Sequence, residues 1–174
     1  MARGLISHDC RRIAPAGSTT VKVRQVFAFH RAKGFRLIQV IGKTGTGIRE
    51  RAKQYKAKSE YMKSHALQAL AIETAEACAE WLHRRIREDW GFPDPADLTM
   101  LDRFQARYRG KRYSFGYPAC PRLEDQEGIW KLLRPEEIGV ALTEGHMMEP
   151  EASVSALVFH HPDCTYFGVG GLEN

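Results

Sequence analysis

The sequence predicts an α+β domain: a twisted, mostly antiparallel sheet with flanking helices, one of them long and central. Three observations predict it. Short β-rich runs recur without the alternating βαβ pattern that builds parallel sheets. Residues 60–89 read as a single long helix, stopped by Trp90-Gly91-Phe92-Pro93. At 174 residues and 43% hydrophobic, the chain supports one domain with a sizeable core.

Taken in order, Val21, Val23, Phe27 and Phe29 indicate one or two short strands, with a turn at 32–34. Residues 35–41 (FRLIQVI) are β-rich and mostly apolar, the composition of a buried strand. GKTGTG at 42–47 has only the superficial look of a phosphate loop. A Walker A motif needs glycine where Leu37 stands, and the dinucleotide pattern needs one where Glu50 stands. The segment is therefore expected to be a glycine turn into a short charged helix, 48–57. In the 60–89 helix, Ala66, Ala69, Ala71, Ala75, Ala77, Cys78 and Ala79 allow close approach of neighbouring elements, which makes it central to the packing. A connector at 93–99 leads to a short helix over 100–108. A further helix is expected at 123–133, broken by Arg134-Pro135, then strands at 140–143, 153–159 and 166–169.

Charge and cysteine usage exclude several classes. The net charge of +5 concentrates in the first 58 residues and in the Arg84–Arg87 helix end, where cations complement the helix dipole. No nucleic-acid-binding signature accompanies it, so a solvated basic surface is preferred to a nucleic-acid-binding module. No run of about 20 apolar residues is present, so no membrane span is expected. Four scattered cysteines without a CxxC pair fit a reducing cytoplasm rather than a disulfide framework. His160, His161 and Cys164 are the one cluster with metal-ligand chemistry. Adjacent strand residues face opposite ways, so no metal site is expected. His146, Met147 and Met148 are expected at a partner surface, since methionine adapts to varied contacts.

The most informative segment is 110–121, GKRYSFGYPACP. Its glycines permit unusual backbone geometry, and its prolines lock φ and remove two N–H donors. It is expected to be a rigid, irregular loop, neither helix nor regular strand, presenting Arg112, Tyr113 and Tyr117. A guanidinium beside aromatic faces suits an anionic group joined to a flat heterocycle. Glu76 shares a helical face with Ala69, Ile72, Ala79 and His83, which is apolar company for a carboxylate. Either that face is solvated or a cation meets it. Glu73 and Glu80 read as solvent-facing, Glu80 four residues before Arg84. There is no Ser/His/Asp set, no Cys–His pair at recognisable spacing and no paired carboxylates for glycosidic chemistry. No catalytic acid, base or nucleophile is expected.

RGKRYSFGYPACP followed by LEDQ closely resembles the signature of the C-terminal activation domain of cobalamin-dependent methionine synthase. Residues 142–167, with LTE, ASVS and HPD…Y in order, resemble that family's closing segment, and residues 65–92 its long helix. The likeness covers about residues 35–170, leaving 1–34 as a divergent N-terminal segment. It implies the family's α+β fold and a site for S-adenosylmethionine. By resemblance, Arg112 grips the carboxylate of the methionyl tail, and the main chain of Ser114 contacts the adenosyl portion. Tyr117 and Glu76 match binding positions, and Tyr166 matches a tyrosine near the adenine. Two acidic contacts of the family lack counterparts: Ala106 stands at one, and residues 1–34 offer no match for an N-terminal aspartate. The resemblance further implies a partner cobalamin-binding domain, through which cobalamin is contacted. It also implies an electron supplied by flavodoxin or a diflavin reductase, and reductive remethylation of cob(II)alamin. A separate chain acting in trans, or one that keeps only the fold, would carry the same residues.

Overall fold

The computed structural model describes the backbone of strands β1 (Arg3–Ile6), β2 (Lys22–Ala28) and β3 (Leu37–Lys43), and residues 47–165 in full. Helices α1 (Ile48–Ala57), α2 (Tyr61–Asp89) and α3 (Met100–Phe104) precede strand β4 (Lys111–Ser114). Helix α4 (Gln126–Leu133), the short strands β5 (Ala141–Leu142) and β6 (Met148–Glu149), and strand β7 (Ser153–Phe159) come after it. The main sheet runs β1-β2-β3-β7-β4 with every pair antiparallel, and β5-β6 form a separate hairpin. The α+β expectation holds. The strand expected at 166–169 lies outside the described residues.

β7 is the spine of the sheet, and its sequence shows why. Both of its faces are buried, so alternate residues serve two different layers. Val154 packs on Ala75 and Ala79 of α2, whose methyl side chains let helix and sheet approach closely. On the opposite face, Leu157 joins Ile129, Trp130, Leu133 and Val140, the core beneath α4. Ser155, fully buried on that face, donates to Gln126 Oε1, and Gln126 in turn donates to the His146 carbonyl at 2.9 Å. Two layers of helix thus sandwich one strand.

α2 buries a stripe of Ser64, Ala71, Ala75, Ala79, Leu82, His83, Ile86 and Arg87, spaced at three and four as a single helix face requires. It ends in a Schellman motif. The Phe92 amide donates to the Arg87 carbonyl at 2.9 Å and Gly91 to Glu88 at 3.0 Å, with Gly91 left-handed at φ 79°. The stop read from Gly91 and Pro93 falls where expected.

α3 is shorter than the 100–108 expected. Thr99 and Asp102 form a capping box at its start. The helix then closes with Ala106 in the left-handed position (φ 52°), its amide donating to Arg103 and that of Arg107 to Asp102. This is a glycine's geometry held by an alanine, and nothing in residue type announces it.

The segment 110–121 also differs from expectation. Lys111–Ser114 is a regular edge strand, paired to β7 with Arg112 opposite Val158 and Ser114 opposite Ala156. The rigid loop is confined to residues 115–121, where Gly116 and Cys120 close a tight turn through Gly116 N–H to Cys120 O at 2.8 Å. Gly110, at φ 80°, admits the strand to the sheet, because a Cβ there would stand 2.4 Å from the Phe159 carbonyl oxygen. Tyr113 points to the other face from Arg112, edge-on to Phe159, its hydroxyl donating to the Thr165 carbonyl at 2.6 Å.

Candidate functional site

The register of β4 decides where its side chains go. Arg112 and Ser114 stand opposite Val158 and Ala156, alternate residues in register with Val154, which packs on α2. They therefore face α2. There, with the 104–108 turn and the rim residue Tyr117, they enclose a cavity of about 450 Å³. Glu76, Arg112, Ser114 and Tyr117, all singled out from the sequence, line this one space. Tyr166 lies outside the described residues.

Arg112 is the pivot. Its side chain is only 17% exposed, with Nη1 3.3 Å from Glu80 Oε2 and Nη2 3.6 Å from Glu76 Oε2. Of the two alternatives for Glu76, both hold in part: its side chain is half solvated, and it also meets the Arg112 cation. Glu80 is a correction. Rather than facing solvent and pairing with Arg84, it turns inward, and Arg84 pairs with Glu88 at 2.9 Å. Tyr108 was missed as well. Its hydroxyl donates to Glu80 Oε2 at 2.8 Å, the same oxygen that meets Arg112. Glu76, Glu80 and His83 recur at helical spacing on one face of α2, a signal that was present in the sequence.

Behind the cavity wall lies a buried charged layer. The Arg87 guanidinium sits 3.7 Å from the Tyr108 ring centroid and forks onto Asp94, with Nε–Oδ1 at 2.6 Å and Nη2–Oδ2 at 2.8 Å. Arg103 Nε reaches Asp94 Oδ2 at 3.4 Å. Burial alone would raise the Asp94 carboxyl, but the hydrogen bonds and charge of Arg87, with help from Arg103, hold it below the usual carboxylate range. Burial, then the charge of Glu80 and its hydrogen bond, push the Tyr108 phenol far above its ordinary value, so it remains a donor. Lys111, lowered chiefly by burial, donates to the carbonyls of Tyr108 and Gly110 at 2.9 and 3.0 Å.

His83 meets the Tyr108 ring edge-on at 5.0 Å. Burial first, then the charges of Arg87, Arg112, Lys111 and His160, hold its imidazole well below the ordinary value and keep it neutral. The unfolded chain takes up this proton near pH 6.5 while the folded chain does not. His83 should therefore cost stability progressively as pH falls, by up to about 1.4 kcal/mol per pH unit below about 6.5. Urea unfolding of wild type and His83→Gln between pH 7 and 5 checks this: the wild type should lose stability faster than the variant.

His160 is a packing residue, stacked on Phe92 at 4.3 Å and edge-on to Trp90. His161 Nδ1 accepts from the Asp163 amide. Met147 is 55% exposed and His146 faces Glu127 at 3.6 Å. A second cavity, about 480 Å³, lies beside α1 and is lined by none of Glu76, Arg112, Ser114 and Tyr117. Among the described residues no helix is long and apolar enough to cross a membrane.

The edge strand of this α+β sheet turns an arginine toward two carboxylates of the long helix, across a cavity of the volume usual for small-molecule sites. The chain belongs to the family described as the vitamin B12 dependent methionine synthase activation domain, which matches residues 31–174. It is 39% identical over 131 residues to the methionine synthase of Mycobacterium tuberculosis (strain ATCC 25618 / H37Rv), covering 72% of this chain and 11% of that protein. The methionine synthase of Mycobacterium leprae (strain TN) is 40% identical over 116 residues, covering 63% of this chain and 9% of that protein. The chain thus spans about a tenth of the length of these relatives. A solved structure, the MetH reactivation domain bound to AdoHcy, superposes with a TM-score of 0.71 at 34% identity, over 76% of this chain and 41% of that one.

Proposed function

We propose that the cavity binds S-adenosylmethionine and that the domain presents its methyl group to the cobalamin of a partner cobalamin-binding domain, serving reductive remethylation in a cytoplasmic methionine synthase. One observation carries this: Arg112 and Glu76 face one cavity from opposite elements, a cationic fork and a carboxylate 3.6 Å apart. The amino-acid end of the ligand is a zwitterion. Its carboxylate suits the guanidinium fork, and its ammonium suits Glu76. The cavity volume lies within the roughly 300–1,000 Å³ usual for such ligands. Tyr117, at the rim, offers a ring for packing and a hydroxyl for hydrogen bonding. The β4 backbone at Ser114 and Tyr166 are assigned to the adenosyl portion.

Bound S-adenosylmethionine supplies an already activated methyl group, so these residues need supply no acid or base. Their work is binding, orientation and exclusion of water. The electron required for reductive methylation is assigned to flavodoxin or a diflavin reductase docking with the whole enzyme. The relative crystallised with AdoHcy supports the ligand class.

Calorimetric titration tests the binding. Saturable heat with S-adenosylmethionine, competed by S-adenosylhomocysteine, is expected. No heat and no competition at millimolar ligand would leave the domain a structural role, the outcome that Ala106 in place of the family's acid would explain.

A further inference from the structure

Glu80 is a carboxylate with an unusual position. Oε2 accepts two hydrogen bonds, from Tyr108 Oη at 2.8 Å and Arg112 Nη1 at 3.3 Å. Oε1 is buried and, among the described residues, has no hydrogen-bond partner. A buried acceptor left unmade costs free energy, and such groups in a native fold call for an explanation. An apolar residue would leave no such acceptor. What the carboxylate gains is a fixed counter-ion for Arg112.

Tyr108, the other partner of Oε2, is itself immobilised. Arg87 lies over its ring at 3.7 Å, His83 meets it edge-on at 5.0 Å, and Arg87 is forked onto Asp94. The contacts run from a locked buried ion pair through an aromatic ring and a carboxylate to Arg112 at the cavity wall. Glu76 offers Arg112 no comparable anchor, being 52% exposed and 3.6 Å away.

We propose that Glu80, held by Tyr108, is a positioning residue that pre-sets the Arg112 guanidinium for the carboxylate of the ligand's amino-acid tail. This rests on the assignment of the cavity to S-adenosylmethionine. A long arginine side chain loses much rotamer freedom when it grips a ligand, and an anchor that has already fixed it lowers that loss. The alternative role for an acid beside a binding arginine is competition: Glu80 would occupy the fork and weaken the ligand. The two roles predict opposite signs.

Titration of the full 174-residue chain with two probes separates the cases. The probes are S-adenosylmethionine and 5′-methylthioadenosine, which keeps the nucleoside and sulfur but lacks the amino-acid tail. Glu80→Gln keeps the shape and removes the charge. It should weaken S-adenosylmethionine about tenfold while leaving 5′-methylthioadenosine within about twofold, because only the tail meets Arg112. Tyr108→Phe removes the hydroxyl alone and should weaken S-adenosylmethionine about threefold with the same selectivity. It also stands in should Glu80→Gln not fold. Unchanged or tighter S-adenosylmethionine binding in both variants overturns the proposal, as does an equal loss for both probes, which would mark a merely structural residue. Wild type that binds neither probe would instead remove the underlying assignment of the cavity.

Discussion

Asp94→Ala is expected to destabilise the domain by about 3–5 kcal/mol, a large effect for a single change in a fold of this size. The Asp94 and Arg87 side chains are 4% and 1% exposed, so the variant leaves a guanidinium buried without its counter-ion. Thermal unfolding should show a melting temperature lower by roughly 10 °C or more. Replacing both partners by apolar residues, Arg87→Met with Asp94→Leu, should recover much of the loss, because the desolvation of both charges is then relieved. The depressed Asp94 carboxyl also sets a pH dependence. Its contribution is present above the unfolded value, about pH 4, and disappears as pH falls through the lower folded value. A wild-type melting temperature for Asp94→Ala would mean that this pair does not hold the connector between α2 and α3 in place.

Arg112→Ala should weaken S-adenosylmethionine by about 10- to 150-fold, the equivalent of a charge-assisted pair of about 1.5–3 kcal/mol, with far-ultraviolet circular dichroism unchanged. Arg112 sits on an edge strand with its guanidinium at a cavity wall, so truncation removes contacts to Glu76 and Glu80 but no core. Arg112→Lys should recover little, because an ammonium lacks the fork that matches a carboxylate in two places. Equal dissociation constants for wild type and Arg112→Ala would contradict the role given to this residue.

Which parts of this molecule were legible in the sequence depends on how each is specified. α2 declared itself through its small residues and its Gly91–Pro93 stop, because helix periodicity and capping are local properties. β7 was equally plain, a run of apolar and small residues buried on both faces. The edge strand β4 was not. Its four residues are a lysine, an arginine, a tyrosine and a serine, and they form a strand only because β7 offers an open edge in register. Ala106 hid the end of α3 for a related reason: its left-handed conformation is imposed by surrounding hydrogen bonds, not by residue type.

The site divides along the same line. Arg112, Ser114, Tyr117 and Glu76 came from the family's motifs, and the structure brings them to one cavity. Glu80 and Tyr108 escaped. Glu80 has an arginine four residues later, the pattern of an exposed helix pair, and only tertiary packing shows that Arg84 prefers Glu88. Tyr108 lies 28 residues from Glu80, and no local rule connects them.

The most direct test is a crystal structure of this chain soaked with S-adenosylmethionine. The ligand's carboxylate is expected within hydrogen-bond reach of the Arg112 guanidinium, with its ammonium toward Glu76 and its methyl group directed out of the cavity. Ligand density elsewhere on the molecule, or a cavity at α2 and β4 that stays empty at saturating ligand, would contradict the account.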